Sequence, residues 1–405
     1  MSRLRTVLIA VMSLVVLTAC SGAGDGSSRE LTVWIMGDSS DRFQELVEPF
    51  SARTRIRVET VAVPWDSIDQ KFTTAVASGK GPDVLQIGLS KLRAYTRSGA
   101  LLDLAGPTLK GHPGLAARGF VDRTALSGGH ASSVPWSSDT RVLFYRSDIL
   151  AAAGITEPPR TWEQVRADAK VLTARDGGGY GFFIPQWDSA LPVIMTWSMG
   201  GDIVDAHRRI DFGDPAFRRA VDLYTGLYAD GSVPADGDFD QVQGFVSGAT
   251  PMLVSGPYLA GAISEAAPEL AGRWAVAPIP GDVTHTSLLS GSHLGVWRTG
   301  HDRDAALRLL DFLSEPRTQL AWYRLDGQLP AVRSALDEVR HAAGPQAAVY
   351  AGQLSEARPL PQVPDWDSRT GKALLDALNS IVLTGADPGT ALRELSAATR
   401  GTSAS

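Results

Sequence analysis

The stretch that determines the fold of this chain is residues 31–50, LTVWIMGDSSDRFQELVEPF. It begins with the apolar run 31–36, which is typical of a short buried strand, and continues into the polar loop 37–40. The apolar residues that follow have the spacing of one helix face, and they are Phe43, Leu46, Val47 and Phe50. The sequence therefore predicts a strand, a polar loop and an amphipathic helix, in that order.

The same order of strand and helix occurs twice more along the chain. IRVETV (56–61) alternates as a strand does, and Ser67–Gln70 has the capping-box pattern that begins a helix reaching Ser78. DVLQI (83–87) indicates a buried strand, followed by a helix near 91–98. This alternation predicts a parallel sheet covered by helices, in which ligands bind at the loops after the strand carboxyl ends.

A second α/β region begins at 134–145, VPWSSDTRVLFY, which contains a strand. Thr161 and Gln164 have the spacing of a capping box at the start of the next helix. Apolar runs within 249–258 and 274–281 predict further strands. Helices are predicted after these strands at 303–313, 316–325, 369–383 and 388–399.

The amino terminus has the order of a secretory signal, with an arginine-containing start and then an apolar run too short to span a bilayer. It ends in VVLTACSGAG (15–24), which contains the single cysteine of the chain, Cys20. The residues before Cys20 resemble the bacterial lipobox, which implies a lipoprotein signal peptide over 1–19 and lipidation of Cys20. The Gly/Ser-rich segment 20–28 is typical of a flexible tether. The alternative is an ordinary signal peptide cleaved nearby, with Cys20 incidental.

Composition excludes several classes of partner and reaction. Without the predicted signal peptide the net charge is −8, from 36 basic and 44 acidic side chains, and no basic block is present, so we expect no nucleic-acid partner. The chain lacks a P-loop, G-x-G-x-x-G, G-x-S-x-G and H-E-x-x-H, so we expect no nucleotide cofactor, no metal and no enzymatic activity. The 32 arginines against six lysines are typical of a high-GC genome, and we expect a Gram-positive bacterium.

Several aromatic residues lie in predicted loops beside Asp or Ser. A flat ring covers the C–H face of a sugar, and carboxylates and hydroxyls pair with its hydroxyl rim, so this association indicates carbohydrate binding. Each tryptophan taken singly is compatible with the core. The aromatic residues in question are Trp65, Trp136, Trp187, Tyr258 and Trp366.

Taken in order, these segments resemble the family 1 extracellular solute-binding proteins of ABC importers, which include the maltose- and trehalose-binding proteins. The resemblance covers nearly all of the mature chain and rests on the order and spacing of its segments rather than on one motif. The segments that carry it are 31–50, GPDVLQIGLSKLRAYTRSGALLDL (81–104), 134–150, PMLVSGPY (251–258), LLSGSHLGVW (288–297) and 306–331.

This resemblance implies a two-lobed, type II periplasmic-binding-protein-like α/β fold, each lobe a mainly parallel sheet flanked by helices, with the ligand cleft between the lobes. It implies an N-terminal lobe of 29–137 plus 278–328 and a C-terminal lobe of 138–277 plus 329–400. The implied partners are a di- or oligosaccharide and the membrane subunits of an ABC permease with a separate ATPase, and we expect a monomer anchored by lipid on the extracellular face. The implied ligand contacts are Asp38, Ser39, Trp65, Ser90, Asp139, Trp187, Tyr258, Gly291, Ser292 and, less directly, Trp366.

Two departures from the family pattern bear on the ligand. Maltose-type members often carry a carboxylate where Ser90 stands, and commonly a tryptophan where Tyr258 stands, which argues against linear maltodextrins. An alternative keeps the fold but binds a glycerophosphodiester or a peptide, because Arg141 and Lys91 near the predicted site could serve an anion; both could equally be salt-bridged surface residues. The remaining alternatives are a lipid-anchored secreted hydrolase and a lipoprotein with a sensory or scaffold role.

Overall fold

The computed structural model describes residues 29–122, 131–176, 178–235, 239–363 and 366–404. Cys20, the predicted signal peptide and the predicted tether lie outside these ranges. No helix within the described ranges has the length and apolar character needed to cross a bilayer. Their strands are β1 (Glu30–Met36), β2 (Arg57–Val63), β3 (Val84–Gly88), β4 (Val134–Thr140), β5 (Val142–Tyr145), β6 (Met252–Ser255), β7 (Ala275–Ala277), β8 (Ser287–Val296), β9 (Leu329–Pro330) and β10 (Ala357–Arg358).

The α-helices of the same ranges surround two sheets. They are α1 (Ser40–Thr54), α2 (Ile68–Ser78), α3 (Leu92–Arg97), α4 (Pro113–Ala116), α5 (Ser147–Ala152), α6 (Trp162–Thr173), α7 (Ala190–Ser198), α8 (Pro215–Ala229), α9 (Gln241–Ser247), α10 (Tyr258–Ala266), α11 (Arg303–Leu313), α12 (Pro316–Asp326), α13 (Arg333–Ala342), α14 (Pro345–Leu354), α15 (Gly371–Thr384) and α16 (Pro388–Ala398).

The larger sheet has the strand order β2-β1-β3-β8-β4-β9, with β10 pairing with β8. Strand β1 is parallel to both β2 and β3, as the sequence predicts, whereas β8 is antiparallel to β3 and to β4. The smaller sheet has the order β6-β5-β7, and both of its pairs are antiparallel. The two-lobed α/β class is confirmed, but the expectation of a mainly parallel sheet in each lobe is wrong. The returning strand β8 is antiparallel to β3 and β4, and β5 pairs antiparallel with the sequence-distant strands β6 and β7. Both features break the βα alternation on which that expectation depends.

The chain passes from the first sheet to the second at a single residue, Arg141, which separates β4 from β5, and it returns between β7 and β8. By strand pairing, Ser138–Thr140 and Leu329–Pro330 belong to the first sheet, although the predicted bounds assign them to the second lobe. The bounds of the lobes remain a prediction.

The predicted apolar face of α1 is buried, and the buried residues of the described ranges form three clusters around the two sheets. Phe43, Leu46, Val47 and Phe50 are all buried in the first-sheet core, as their spacing predicts. A second core surrounds α6, α7, α8 and α15, and a third contains residues of both sheets, such as Leu85 and Leu253. The third core lies where the two sheets meet and supports the cleft between them.

The two predicted capping boxes have different outcomes. Thr161 accepts a hydrogen bond from the amide of Gln164 while the Gln164 side chain accepts from the backbone N–H of Thr161, so the α6 box is formed. Ser67 precedes α2 as predicted, but its hydroxyl donates to the carbonyl of Pro64 instead, so this box is not formed. The Ser67 hydroxyl, which would accept a hydrogen bond in a capping box, is therefore used within the turn that contains Trp65.

Candidate ligand-binding cleft

A cleft of about 920 Å³ lies between the sheets and is lined by residues of both. The first sheet contributes the carboxyl end of β3 and parts of β4 and β8, and the second contributes the loop before α7 and the start of α10. Eight of the predicted site residues line it, although they are widely separated in sequence: Ser39, Trp65, Ser90, Asp139, Trp187, Tyr258, Gly291 and Ser292.

Two predicted site residues, Asp38 and Trp366, do not line the cleft, so the structure does not place them at the candidate site. Asp38 is exposed and follows Gly37, whose positive φ of 73° turns the chain so that Ser39, not Asp38, faces the cleft. Trp366 is only 1% exposed, packs in the core around α15, and donates its indole N–H to the Ser189 hydroxyl at 3.1 Å. Its neighbour Asp367 lines the cleft instead.

Aromatic exposure is concentrated in this cleft. Of the ten tryptophans, eight are buried; the other two, Trp65 and Trp187, are 49% and 64% exposed and both line the cleft. Tyr258, 49% exposed, lines it from the second lobe. Trp65 lies over the end of β3, where a Cβ on Gly88 would come within 3.2 Å of its ring. The cleft therefore presents three uncovered aromatic faces, one from the first lobe and two from the second.

The floor of the cleft is a hydrogen-bonded row of polar side chains from β3, β4 and β8. Gln86 donates to the Ser292 hydroxyl at 2.8 Å, and that hydroxyl lies 2.8 Å from the hydroxyl of Ser137. Gly291 makes this approach possible, since a Cβ there would lie 2.1 Å from the carbonyl oxygen of Ser137. Sequence reasoning missed Gln86 and Ser137, although a glutamine within the apolar run 83–87 is itself an indication, because buried amides need partners.

Three charged side chains meet beside Tyr258. Arg141 donates from Nη1 to Asp139 Oδ2 at 2.9 Å, and its Nε lies 3.7 Å from Asp188 Oδ2. The Ser290 hydroxyl also donates to Asp139, at 3.3 Å. Burial lowers the pKa of Arg141, but the carboxylates of Asp139 and Asp188 outweigh burial and raise that pKa above its ordinary value. Arg141 is therefore a charged group that already has its counterions.

The rim of the cleft carries further paired charges. Asp326 accepts hydrogen bonds from Ser39 at 2.8 Å and from Arg42 at 2.7 Å. In a second group of paired charges, the Ser90 hydroxyl donates to Asp367 at 2.9 Å, while Lys91 binds Asp69 at 2.6 Å and lies 3.7 Å from Asp367. The lining holds two arginines against five carboxylates, and both arginines are ion-paired. The expectation that Arg141 and Lys91 are salt-bridged is confirmed, but Arg141 is largely buried rather than a surface residue.

Two α/β lobes with crossing strands between them, and a cleft with aromatic faces and a polar floor, define a protein that captures a solute between its lobes. The chain belongs to the bacterial extracellular solute-binding protein family, which it matches over residues 37–320.

Among its relatives, the diacetylchitobiose binding protein DasA of Streptomyces coelicolor is 26% identical over 374 residues, which are 87% of each chain. A putative binding protein of Brucella abortus is 25% identical over 394 residues, 95% of each chain. Among solved structures, the sugar-binding protein MalE of Xanthomonas citri aligns with a TM-score of 0.81 and 25% identity, over 91% of this chain and 96% of that one. The GacH receptor of Streptomyces glaucescens has the same fold, with a TM-score of 0.82 and 22% identity, over 92% and 98%.

Proposed function

We propose that this protein is the substrate-binding component of an ABC importer, which captures an extracellular di- or oligosaccharide and delivers it to a membrane permease. The observation that carries the proposal is that both exposed tryptophans of the chain, with Tyr258, face one cleft. Uncovered aromatic faces in water are unfavourable unless a ligand covers them, and a sugar ring has a matching apolar face. The names of DasA and MalE support the same class of ligand.

The mechanism we propose is closure of the lobes about the crossing strands. A ligand shifts the balance between open and closed states only through contacts that differ between them, so groups of both lobes must touch it. Trp65, Ser39 and Ser90 are the proposed first-lobe contacts, and Trp187 and Tyr258 are the proposed second-lobe contacts. The Asp139 carboxylate and the row Gln86–Ser292–Ser137 would pair with sugar hydroxyls, because leaving buried hydroxyls unpaired costs about 1–3 kcal/mol each.

The charges of the cleft favour a neutral sugar over a glycerophosphodiester. An anion would meet five carboxylates, and each lining arginine would have to leave an existing ion pair to bind it. The second candidate is therefore tested directly by adding inorganic phosphate or glycerophosphodiesters during sugar binding. Competition at millimolar phosphate would favour the anion, and its absence would favour the neutral sugar.

The same proposal includes a lipid anchor at Cys20, the two lobes with the bounds predicted above, a monomeric state and the absence of enzymatic activity. Labelling of the expressed protein with an alkynyl palmitate analogue, with Cys20→Ala as the control, tests the anchor. Loss of label together with release of the variant into the medium is the expected result. A label that persists in the variant would refute lipidation at this position.

The experiment that tests the function is a thermal-shift screen of the full chain, purified in a detergent without a sugar headgroup. The panel contains maltose, N,N′-diacetylchitobiose, trehalose, longer oligosaccharides and glycerophosphodiesters, and each binder is then measured by calorimetry. A ligand at one hundred times its Kd raises the free energy of unfolding by about 2.7 kcal/mol, which gives a clear rise in Tm. Hydrolysis of a labelled oligosaccharide would support the hydrolase alternative, and a screen without any binder would refute the importer proposal.

A further inference from the structure

Arg141 is the one residue between strand β4 of the first sheet, which ends at Thr140, and strand β5 of the second sheet, which begins at Val142. Its carbonyl accepts a hydrogen bond of 2.7 Å from the hydroxyl of Ser287, the first residue of the returning strand β8. The backbone of Arg141 is thereby fixed to both crossing segments, while its side chain extends toward the second lobe.

The guanidinium of Arg141 contacts both segments that carry the aromatic faces of the second lobe. Its Nε lies 3.7 Å from the carboxylate of Asp188, the residue after Trp187, and its Cζ lies 5.9 Å from the ring centroid of Tyr258. The other Asp188 oxygen accepts the amide N–H of Ala190 at 2.8 Å, at the start of α7. A buried arginine thus links the loop of Trp187 to the helix start of Tyr258.

Protein groups fill most of the space around this guanidinium, although Arg141 also forms part of the cleft lining. A Cβ on Gly256 would lie 2.8 Å from Nη1 of Arg141 and 2.8 Å from Oδ1 of Asp139, so a larger residue at position 256 would displace one of these groups. The Arg141 side chain is only 13% exposed, and its Nε is buried without a hydrogen-bond partner among the described residues. Most of the guanidinium is therefore occupied by protein rather than presented to the cleft.

We propose that Arg141 is a positioning residue of this site, which orients Trp187 through Asp188 and Tyr258 through its ring face without itself contacting the sugar. The part of this inference that concerns affinity rests on the proposed function. The part that concerns orientation does not, because it applies equally to the unliganded protein.

The test uses the full chain labelled with 5-fluorotryptophan and followed by ¹⁹F NMR. Trp187→Phe assigns the Trp187 resonance, and Trp65 in the first lobe serves as an internal control. In unliganded Arg141→Lys the Trp187 resonance should shift or split while that of Trp65 stays in place. Asp188→Asn, which keeps the shape of the carboxylate and removes its charge, should do the same and covers the case in which Arg141→Lys does not fold.

The matched control is Arg146→Lys, a buried second-lobe arginine that is paired with Asp148 at 2.8 Å and lies outside the cleft lining. This variant should lower Tm and leave the Trp187 resonance unchanged. An unchanged Trp187 resonance in both Arg141→Lys and Asp188→Asn would overturn the proposal, whatever the protein binds.

Affinity is then measured with N,N′-diacetylchitobiose and maltose as probes. Arg141→Lys should raise the Kd of a bound probe about tenfold, because Trp187 and Tyr258 would no longer be held in place before the ligand binds. In a Trp187→Ala background the same change should have a much smaller effect, since its main target is gone. Equal effects in both backgrounds would assign Arg141 a direct contact and overturn the positioning role. If the wild-type protein bound neither probe, that result would count against the proposed sugar class. It would leave the positioning role of Arg141 untouched, because the resonance shift does not depend on a ligand.

Discussion

Trp187→Ala should weaken sugar binding strongly and leave the stability of the unliganded protein almost unchanged. The reason is the exposure of this side chain, which at 64% is the largest among the aromatic residues of the cleft. A side chain that is mostly in water before binding contributes little to the core.

The magnitude follows from the area that a sugar could cover. A tryptophan exposes up to about 250 Å², so 64% exposure leaves about 160 Å² uncovered. A sugar ring stacked on one face would cover about half of this, and at about 25 cal/mol per Å² the loss is about 2 kcal/mol. That corresponds to a rise in Kd of roughly thirtyfold.

The assay is calorimetric titration with the best binder of the sugar panel, alongside thermal melts without ligand. The expected result is a Kd raised by one to two orders of magnitude, with Tm within about 2 °C of wild type, since surface substitutions usually change stability by less than 0.5 kcal/mol. An unchanged Kd with an intact melting curve would refute the stacking role of Trp187. Trp187→Phe keeps a ring at this position and should recover most of the affinity.

Three further predictions concern residues around the cleft and its supporting cores. Trp366→Ala should lower the free energy of unfolding by about 3–5 kcal/mol, because the side chain is buried; chemical denaturation measures this, and a loss below 1 kcal/mol would contradict a core role. By the predicted bounds, the bond between Ser90 and Asp367 joins the N-terminal lobe to the C-terminal lobe, so Asp367→Asn should weaken it and enlarge the unliganded protein in small-angle scattering. The same change should raise the sugar Kd less than about fivefold, since exposed contacts of this kind contribute at most ~1 kcal/mol. An unchanged radius of gyration would show that this contact does not hold the lobes. Burial raises the pKa of Asp148, but its bonds to Arg146 outweigh burial, and the pKa in the folded protein is lower than the ordinary value. The Asp148 carboxylate therefore stabilises the folded protein fully above about pH 4, and this contribution is lost as the pH falls through the lower folded pKa. Asp148→Asn should therefore lower Tm at pH 7 and flatten the fall of Tm below pH 4, and an acid profile parallel to wild type would contradict this.

Local periodicity was sufficient to predict the first half of the first sheet, because three successive βα units carry their information within short windows. The antiparallel return of β8 was not predictable from those windows, since the pairing of β8 with β3 joins residues about two hundred positions apart. Ser67 shows a different limit, because its hydroxyl has two local partners and donates to the carbonyl of Pro64, three residues earlier, instead of capping α2. Local patterns specify which groups can form a bond, and tertiary contacts decide which bond forms.

The site could be predicted to the extent that its residues lie at strand ends. Trp65, Ser90 and Tyr258 follow directly from predicted strands, and the structure brings them to one cleft. Trp366 shares their neighbourhood of short polar residues, but it begins a π-helical turn, Trp366–Thr370, that leads into α15, and its indole packs in the core. Whether a loop tryptophan faces outward depends on the backbone direction at that residue, which neither composition nor spacing determines.

The class of ligand depends on contacts that no single segment contains. In sequence, Arg141 and Lys91 are two cations near a predicted site, and an anionic ligand follows from them as readily as a neutral one. In the structure Arg141 lies between Asp139 and Asp188, and Lys91 is bound to Asp69, so neither charge is available without breaking an ion pair. The surface that remains to a ligand includes aromatic faces, carboxylates and hydroxyls, and a neutral polyol supplies both an apolar face and hydroxyls that can pair with these groups. Ion pairing within the protein therefore shifts the balance from a phosphodiester to a sugar.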